Sequence, residues 1–131
     1  MAQASDPSLP PRVIIVEDDT ALSGALQFSL ELEGFSVELC GSGEDLLALD
    51  LPLRRACLVI DQGLPGLAGI EALTRLRRRG VSLPAIIITT HPEDQLRRAA
   101  YRAHASVVEK PLLGDGLISE IKGLLADRRG G

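Results

Sequence analysis

The stretch Cys57–Gly69, C-L-V-I-D-Q-G-L-P-G-L-A-G, constrains the fold of this chain more than any other. Leu58, Val59 and Ile60 make a short uninterrupted apolar run, the pattern of a strand buried on both faces. The run stops at Asp61, and Gly63, Pro65 and Gly66 then break regular structure and force a loop. Strands of this kind belong to parallel sheets covered by helices on either side. Such open sheets form their ligand crevice outside the carboxyl ends of the strands, where Asp61 would sit. Asp61 is therefore the first candidate for a functional centre.

The rest of the chain repeats the rhythm. Residues 1–11 are polar and contain proline, and read as a flexible tail. Val13–Val16 is a β-branched run that predicts a strand stopping at Glu17-Asp18-Asp19. A helix is expected over about 20–33, with Leu22, Ala25, Leu26 and Leu30 inward, Asp18 or Asp19 as its cap and Gly34 as its stop. Phe35–Cys40 predicts a second strand, with Phe35, Val37 and Leu39 alternating against Ser36 and Glu38. Ser42 and Asp45 resemble a capping box opening a helix to about Leu49.

After the Asp61 loop, a third helix is expected from about Ala68 to Arg79, with Ile70, Leu73 and Leu76 inward and Gly80 at its end. Ala85–Ile88 predicts a strand ending at Thr89-Thr90, and a fourth helix would begin near Pro92. That helix carries Leu96, Ala99, Ala100 and Ala103 at helical spacing. Ser106–Val108 predicts a short strand leading to Glu109-Lys110-Pro111. A last helix, about 114–126, presents Leu117, Ile118, Ile121, Leu124 and Leu125 as one stripe.

Five strands alternating with five helices through short links predict an α/β fold: a single-domain five-stranded parallel sheet with helices on both faces. The expected domain is 12–126, between the tail 1–11 and a C-terminal tail, 127–131. No repeat or linker is visible, and no further domain is expected after the last helix. At 131 residues the chain is long enough to bury a core, which must be built from Leu, Ile, Val and Ala because aromatics are scarce. A net charge of −4 argues against direct nucleic-acid binding. Cys40 and Cys57 lack any paired metal spacing and read as core residues. Neither a signal peptide nor an apolar run of membrane-spanning length is present, so no membrane partner and a cytoplasmic location are expected.

The informative polar residues stand at strand ends. The first strand ends in Glu17-Asp18, the third in Asp61, the fourth in Thr89, and the fifth leads to Lys110. A parallel sheet brings these ends to one edge, so three carboxylates, a hydroxyl and an ammonium converge on one crevice. Crowded carboxylates stay ionised only if a cation joins them, and hard oxygen ligands select Mg²⁺ over zinc. A metal, an ammonium and a hydroxyl suit the oxygens of a phosphoryl group, and an aspartate among them can act as nucleophile.

Val-Glu-Asp-Asp after the first strand, I-D-x-x-L-P-G-x-x-G, I-I-T-T and V-E-K-P together resemble the receiver domain of two-component response regulators, over roughly 12–126. The resemblance implies a flavodoxin-like fold with strand order 2-1-3-4-5. It implies that Asp61 accepts a phosphoryl group from the phosphohistidine of a histidine kinase or phosphotransfer protein. Glu17 and Asp18 match the family's acidic pair for Mg²⁺, aided by Asp61 and the backbone carbonyl of Gly63. Thr89 and Lys110 match its phosphate-contacting hydroxyl and lysine, and Pro111 the proline that usually follows in a cis bond. The family's output surface would be the fourth helix, fifth strand and fifth helix, acting on a downstream protein or on an output domain absent from this chain. A homodimer is left open.

Three positions depart from the family. Val107 stands where Tyr or Phe usually serves as a rotamer switch, Thr90 where Ala or Gly is frequent, and His104 where a glycine usually precedes the fifth strand. Val107 and Thr90 motivate the alternative of a degenerate receiver, a protein-binding module independent of phosphorylation. A metal-dependent phosphatase is weaker, since no separate general acid is visible. Bland readings cover the remaining polar residues. His91 and His104 read as surface or loop residues. Arg75, Arg77, Arg78 and Arg79 complement a helix dipole, and Arg97, Arg98 and Arg102 read as a solvated face, one that the resemblance implies can also contact partners. Gly41-Ser42-Gly43 fails the dinucleotide fingerprint because Leu46 stands where Gly or Ala is needed.

Overall fold

Successive residues of the central strands face two different apolar layers, and that alternation builds the molecule. The computed structural model describes residues 9–112 and 115–126. In chain order the elements are β1 (Arg12–Val16), α1 (Thr20–Leu32), β2 (Ser36–Cys40), α2 (Gly43–Ala48) and β3 (Ala56–Asp61). They continue as α3 (Gly69–Arg78), β4 (Ala85–Thr89), α4 (Asp94–Arg102), β5 (Ala105–Glu109) and α5 (Gly116–Ala126). The strands form one five-stranded sheet, all neighbours parallel, in the order β2-β1-β3-β4-β5.

Ile14, Val16, Leu58, Ile60 and Ile87 pack with Leu46 of α2 and with Leu73 and Leu76 of α3 on one face. Val13, Ile15, Val59, Ile86 and Ile88 pack with Leu30 of α1 and with Leu117 and Ile121 of α5 on the other. β3 and β4 are buried along their whole length, as the unbroken apolar runs require. Cys40 and Cys57 are both free and buried, and burial pushes the Cys57 thiol up to about 12, which makes it inert at neutral pH.

Local chemistry ends the helices. Asp19, not Asp18, caps α1: its Oδ1 accepts from the amides of Ala21 (3.0 Å) and Leu22 (3.2 Å). Ser42 Oγ accepts from the Asp45 amide at 3.0 Å and opens α2.

Several expected details are corrected. Ala25 is exposed, so the inward face of α1 is carried by Leu22, Ser23, Leu26 and Leu30. Leu39 is 41% exposed because β2 is an edge strand paired only to β1, and its outer end has nothing to pack on. α4 starts at Asp94, not at Pro92, because Glu93 is extended (φ −71°, ψ 159°) and takes the cap position. Residues 1–8 and 127–131 of the expected tails, and position 114 at the expected start of the last helix, lie outside the described residues. Within the expected N-terminal tail, the Pro11 carbonyl accepts from the Ser36 amide at 2.9 Å and the Leu9 carbonyl from Arg55 Nη1 at 2.6 Å.

Candidate functional site

Strand register sets the site. Val16 lies beside Ile60, so Glu17 follows β1 at the level of Asp61, the last residue of β3. Thr89 closes β4 beside Glu109, and the Lys110 amide donates to the Thr89 carbonyl at 2.8 Å. Glu17, Asp61 and Thr89 are the buried polar groups of this edge, while Asp18 is exposed.

Lys110 Nζ lies 2.8 Å from Asp61 Oδ1 and 3.6 Å from Glu17 Oε1. Glu17, Asp18 and Asp61 each offer a carboxylate oxygen, and these oxygens lie within 4.8 Å of one another. Glu17 Oε2 also accepts from the Asp19 amide at 3.1 Å, which fixes its side chain. Burial, then the Asp61 charge, raise the Glu17 carboxyl above its ordinary value, against the pull of the Asp19 amide and Lys110. For Lys110, burial acts to lower the ammonium, but the hydrogen bond and attraction to Asp61, with help from Glu17, hold it above its ordinary value. The donor set suits a hard divalent cation: three clustered carboxylates with a single ammonium for compensation, and no sulfur or imidazole among them.

The loop after Asp61 is held by side chains whose role the sequence pattern did not disclose. Gln62 Oε1 accepts from the Ile70 amide at 2.8 Å, Glu44 Oε2 from the Leu67 amide at 3.3 Å, and Glu71 Oε1 from the Ala68 amide at 3.2 Å. Gly69 lies so close to the Asp61 backbone that a Cβ there would stand 2.4 Å from the Asp61 carbonyl oxygen. Gly63 lies beside the carboxylate, its hypothetical Cβ 3.6 Å from Asp61 Oδ2. Thr89 Oγ1 accepts from the His91 amide at 3.1 Å, a bond that does not use the hydroxyl proton. Lys110 and Pro111 are joined by a cis bond. Glu17, Asp18, Asp61 and Lys110 are brought together at this edge, and Thr89 ends the neighbouring strand β4; the supporting contacts of Gln62, Glu44 and Gly69 appear only once the loop is folded.

The family profile described as the response regulator receiver domain matches residues 13–122. This chain belongs to the response regulator receiver family. The receiver is 34% identical over 119 residues to the transcriptional regulatory protein FixJ of Azorhizobium caulinodans, covering 90% of this chain and 56% of that protein. It is 33% identical over 118 residues to the response regulator MprA of Mycolicibacterium vanbaalenii, covering 89% of this chain and 51% of the relative. The chain thus spans about half the length of the curated relatives it matches. Among solved structures, the receiver is similar to FixJ-N (TM-score 0.78, 30% identity, 92% of this chain and 96% of that one). The response regulator StyR is also similar (TM-score 0.83, 31% identity, 92% of this chain and 63% of that one). Receivers of this family are signalling switches rather than turnover enzymes, and they bind Mg²⁺ at an acidic pocket of this kind. No helix among the described residues is long and apolar enough to cross a membrane.

Proposed function

We propose that this receiver takes a phosphoryl group onto Asp61 from the phosphohistidine of a histidine kinase or phosphotransfer protein and thereby switches a protein-binding surface. The observation that carries the reading is the cluster itself, a buried Asp61 with Lys110 at 2.8 Å and two further carboxylates around it. Glu17, Asp18, Asp61 and the Gly63 carbonyl would hold Mg²⁺, which supplies charge neutralisation for phosphoryl oxygens when bound. An Asp61 carboxylate oxygen forms the new P–O bond as the P–N bond of the donor breaks and its electron pair returns to the imidazole. Lys110 leaves its pairing with Asp61 to meet the new phosphoryl charge, and the Thr89 hydroxyl donates to the same group.

Thr89 and Lys110 terminate or follow β4 and β5, so their movement would be felt in α4, β5 and α5, the proposed output surface. The recipient would be a downstream protein or an output domain outside this chain, and a cytoplasmic setting goes with the same reading. The alternative of a phosphorylation-independent binding module is motivated by Val107, which sits on β5 where the family carries an aromatic switch. It is not favoured by a cluster that keeps every phosphate- and metal-facing group.

Incubation with acetyl phosphate and Mg²⁺ should add about 80 Da, one phosphoryl group, to the intact chain, and Asp61→Asn should abolish the addition. An unmodified wild type under those conditions would refute the proposal. Equal affinity of wild type and Asp61→Asn for an identified partner would move the balance to the alternative.

A further inference from the structure

Away from the Asp61 edge, the carboxyl ends of α3 and α4 lie side by side and carry a dense set of arginines. Three depressions occur there. One, of about 410 Å³, is lined by Thr74, Arg77, Arg78, Ala99, Arg102 and Ala103. The second, of about 400 Å³, runs on past Val81, Ser82, Pro84 and His104, and the third, of about 320 Å³, lies against Arg97, Arg98 and Tyr101. The first two share Arg77 and Arg102 and form the α3–α4 groove, and the third adjoins them at Arg102 on the outer side of α4.

The floor of the groove is pre-built. Arg77 is turned inward: its Nε donates to the Ala103 carbonyl (2.7 Å), and its Nη1 to the carbonyls of Val81 (3.0 Å) and Leu83 (2.7 Å). It therefore acts as a strut, and Ala99, Ala103, Val81 and Pro84 give the floor an apolar character. The rim is different. Arg78, Arg98 and Arg102 are exposed, and no carboxylate of a described residue forms an ion pair with any of them. Of the acidic residues of these helices, Glu71 stands at the amino-terminal end of α3, and Asp94 lies one turn before Arg98 but two turns from Arg102. Each helix end returns about half a negative charge, so the two together offset only about one of these guanidinium charges. Tyr101, 83% exposed, adds an aromatic face beside them.

We infer that this α3–α4 groove docks an acidic segment of a partner protein that also carries apolar side chains. Guanidinium forks without internal partners match carboxylates in bidentate geometry, and the alanine floor takes aliphatic groups between them. Arginines spread over two helices around an apolar floor suit a chain segment that carries several carboxylates better than a ligand with a single charge. Nucleic acid is disfavoured because a phosphate backbone needs a continuous positive track, whereas this floor is apolar and the chain is net −4. The groove is distinct from the Asp61 cluster, although it shares α4 with the proposed output surface.

The test uses the whole chain and a fluorescein-labelled peptide of alternating Glu and Leu, read by anisotropy, with a short DNA duplex in parallel. The peptide should bind saturably and weaken with salt, with amide shifts centred on Thr74, Ala99 and Ala103. The double variant R78E/R102E should bind at least about tenfold more weakly, while Arg54→Glu, in the loop before β3, binds as wild type. Both changes are on exposed side chains, and unaltered circular dichroism establishes that the variants are folded. Failure of the peptide to saturate, peptide binding unaffected by R78E/R102E in a folded variant, or tighter R78E/R102E-sensitive binding of the duplex would each overturn the inference. Because the readout omits acetyl phosphate, its failure is separate from failure of the Asp61 chemistry.

Discussion

His104 adopts φ +56°, the left-handed region that favours glycine, just past the C-cap residue Ala103 of α4. The sequence marked this position as one where the family usually has glycine, and the backbone supplies the reason: the chain must reverse here into β5. Its amide donates to the Tyr101 carbonyl at 3.1 Å and its carbonyl accepts from Arg77, contacts that any residue could make. The imidazole itself is exposed and stabilises little. A non-glycine residue in this region costs about 1–2 kcal/mol, while glycine costs about 0.5–1 kcal/mol more than other residues to order from the unfolded chain. His104→Gly is therefore expected to raise stability by about 0.5–1 kcal/mol, measured as a higher urea midpoint with unchanged slope. A lower midpoint would show that the imidazole makes a stabilising contact.

At the scale of elements, Arg77 joins pieces that are distant in sequence. From α3 it reaches the end of α4 (Ala103, His104) and the α3–β4 connection (Val81, Leu83), while Arg79 reaches the Leu47 carbonyl of α2. A run of arginines closing a helix looks, in sequence, like complementation of the dipole by interchangeable cations. Folded, the run is differentiated: Arg77 and Arg79 satisfy carbonyls across element boundaries, and Arg75 and Arg78 stay exposed. Hydrogen bonds from a charged donor contribute about 1.5–3 kcal/mol, so Arg77→Ala should lose about 2–3 kcal/mol. Arg78→Ala should change stability by less than about 0.5 kcal/mol. Denaturant titrations of the two variants side by side check the contrast, and equal losses would refute it.

Across the whole molecule, the acidic cluster sets a cost that a cation relieves. Three carboxylates have oxygens within 4.8 Å of one another, and the Lys110 ammonium pairs with two of them, the buried Glu17 and Asp61. Mg²⁺ that binds only the folded chain should therefore stabilise it, by about 1.4 kcal/mol at tenfold its dissociation constant. A rise in melting temperature with Mg²⁺, reversed by chelation and lost in Asp18→Asn, is the expected outcome in thermal scans. No rise for wild type would argue against a cation at this cluster.

Much of this molecule was legible before folding. The unbroken apolar runs at Val13–Val16, Leu58–Ile60 and Ala85–Ile88 encode strands buried on both faces, because only a doubly covered sheet tolerates them. Once the strands are parallel, the polar residue that ends each run has to arrive at one edge, which is why Glu17, Asp61, Thr89 and Lys110 could be grouped from sequence. Details that depend on what lies opposite a residue were not legible. Leu39 alternates correctly yet is exposed, since edge position is a property of the sheet and not of β2. Whether Asp18 or Asp19 caps α1 depended on backbone torsion, and the tertiary structure gave the cap to Asp19 and left Asp18 beside Asp61. The α3–α4 groove lies further still from the sequence, since it exists only where two helix ends meet across a strand crossover. Periodicity and strand-end chemistry are local and therefore written in the chain; edge exposure, cap choice and the contents of a groove are set by neighbours that only folding supplies.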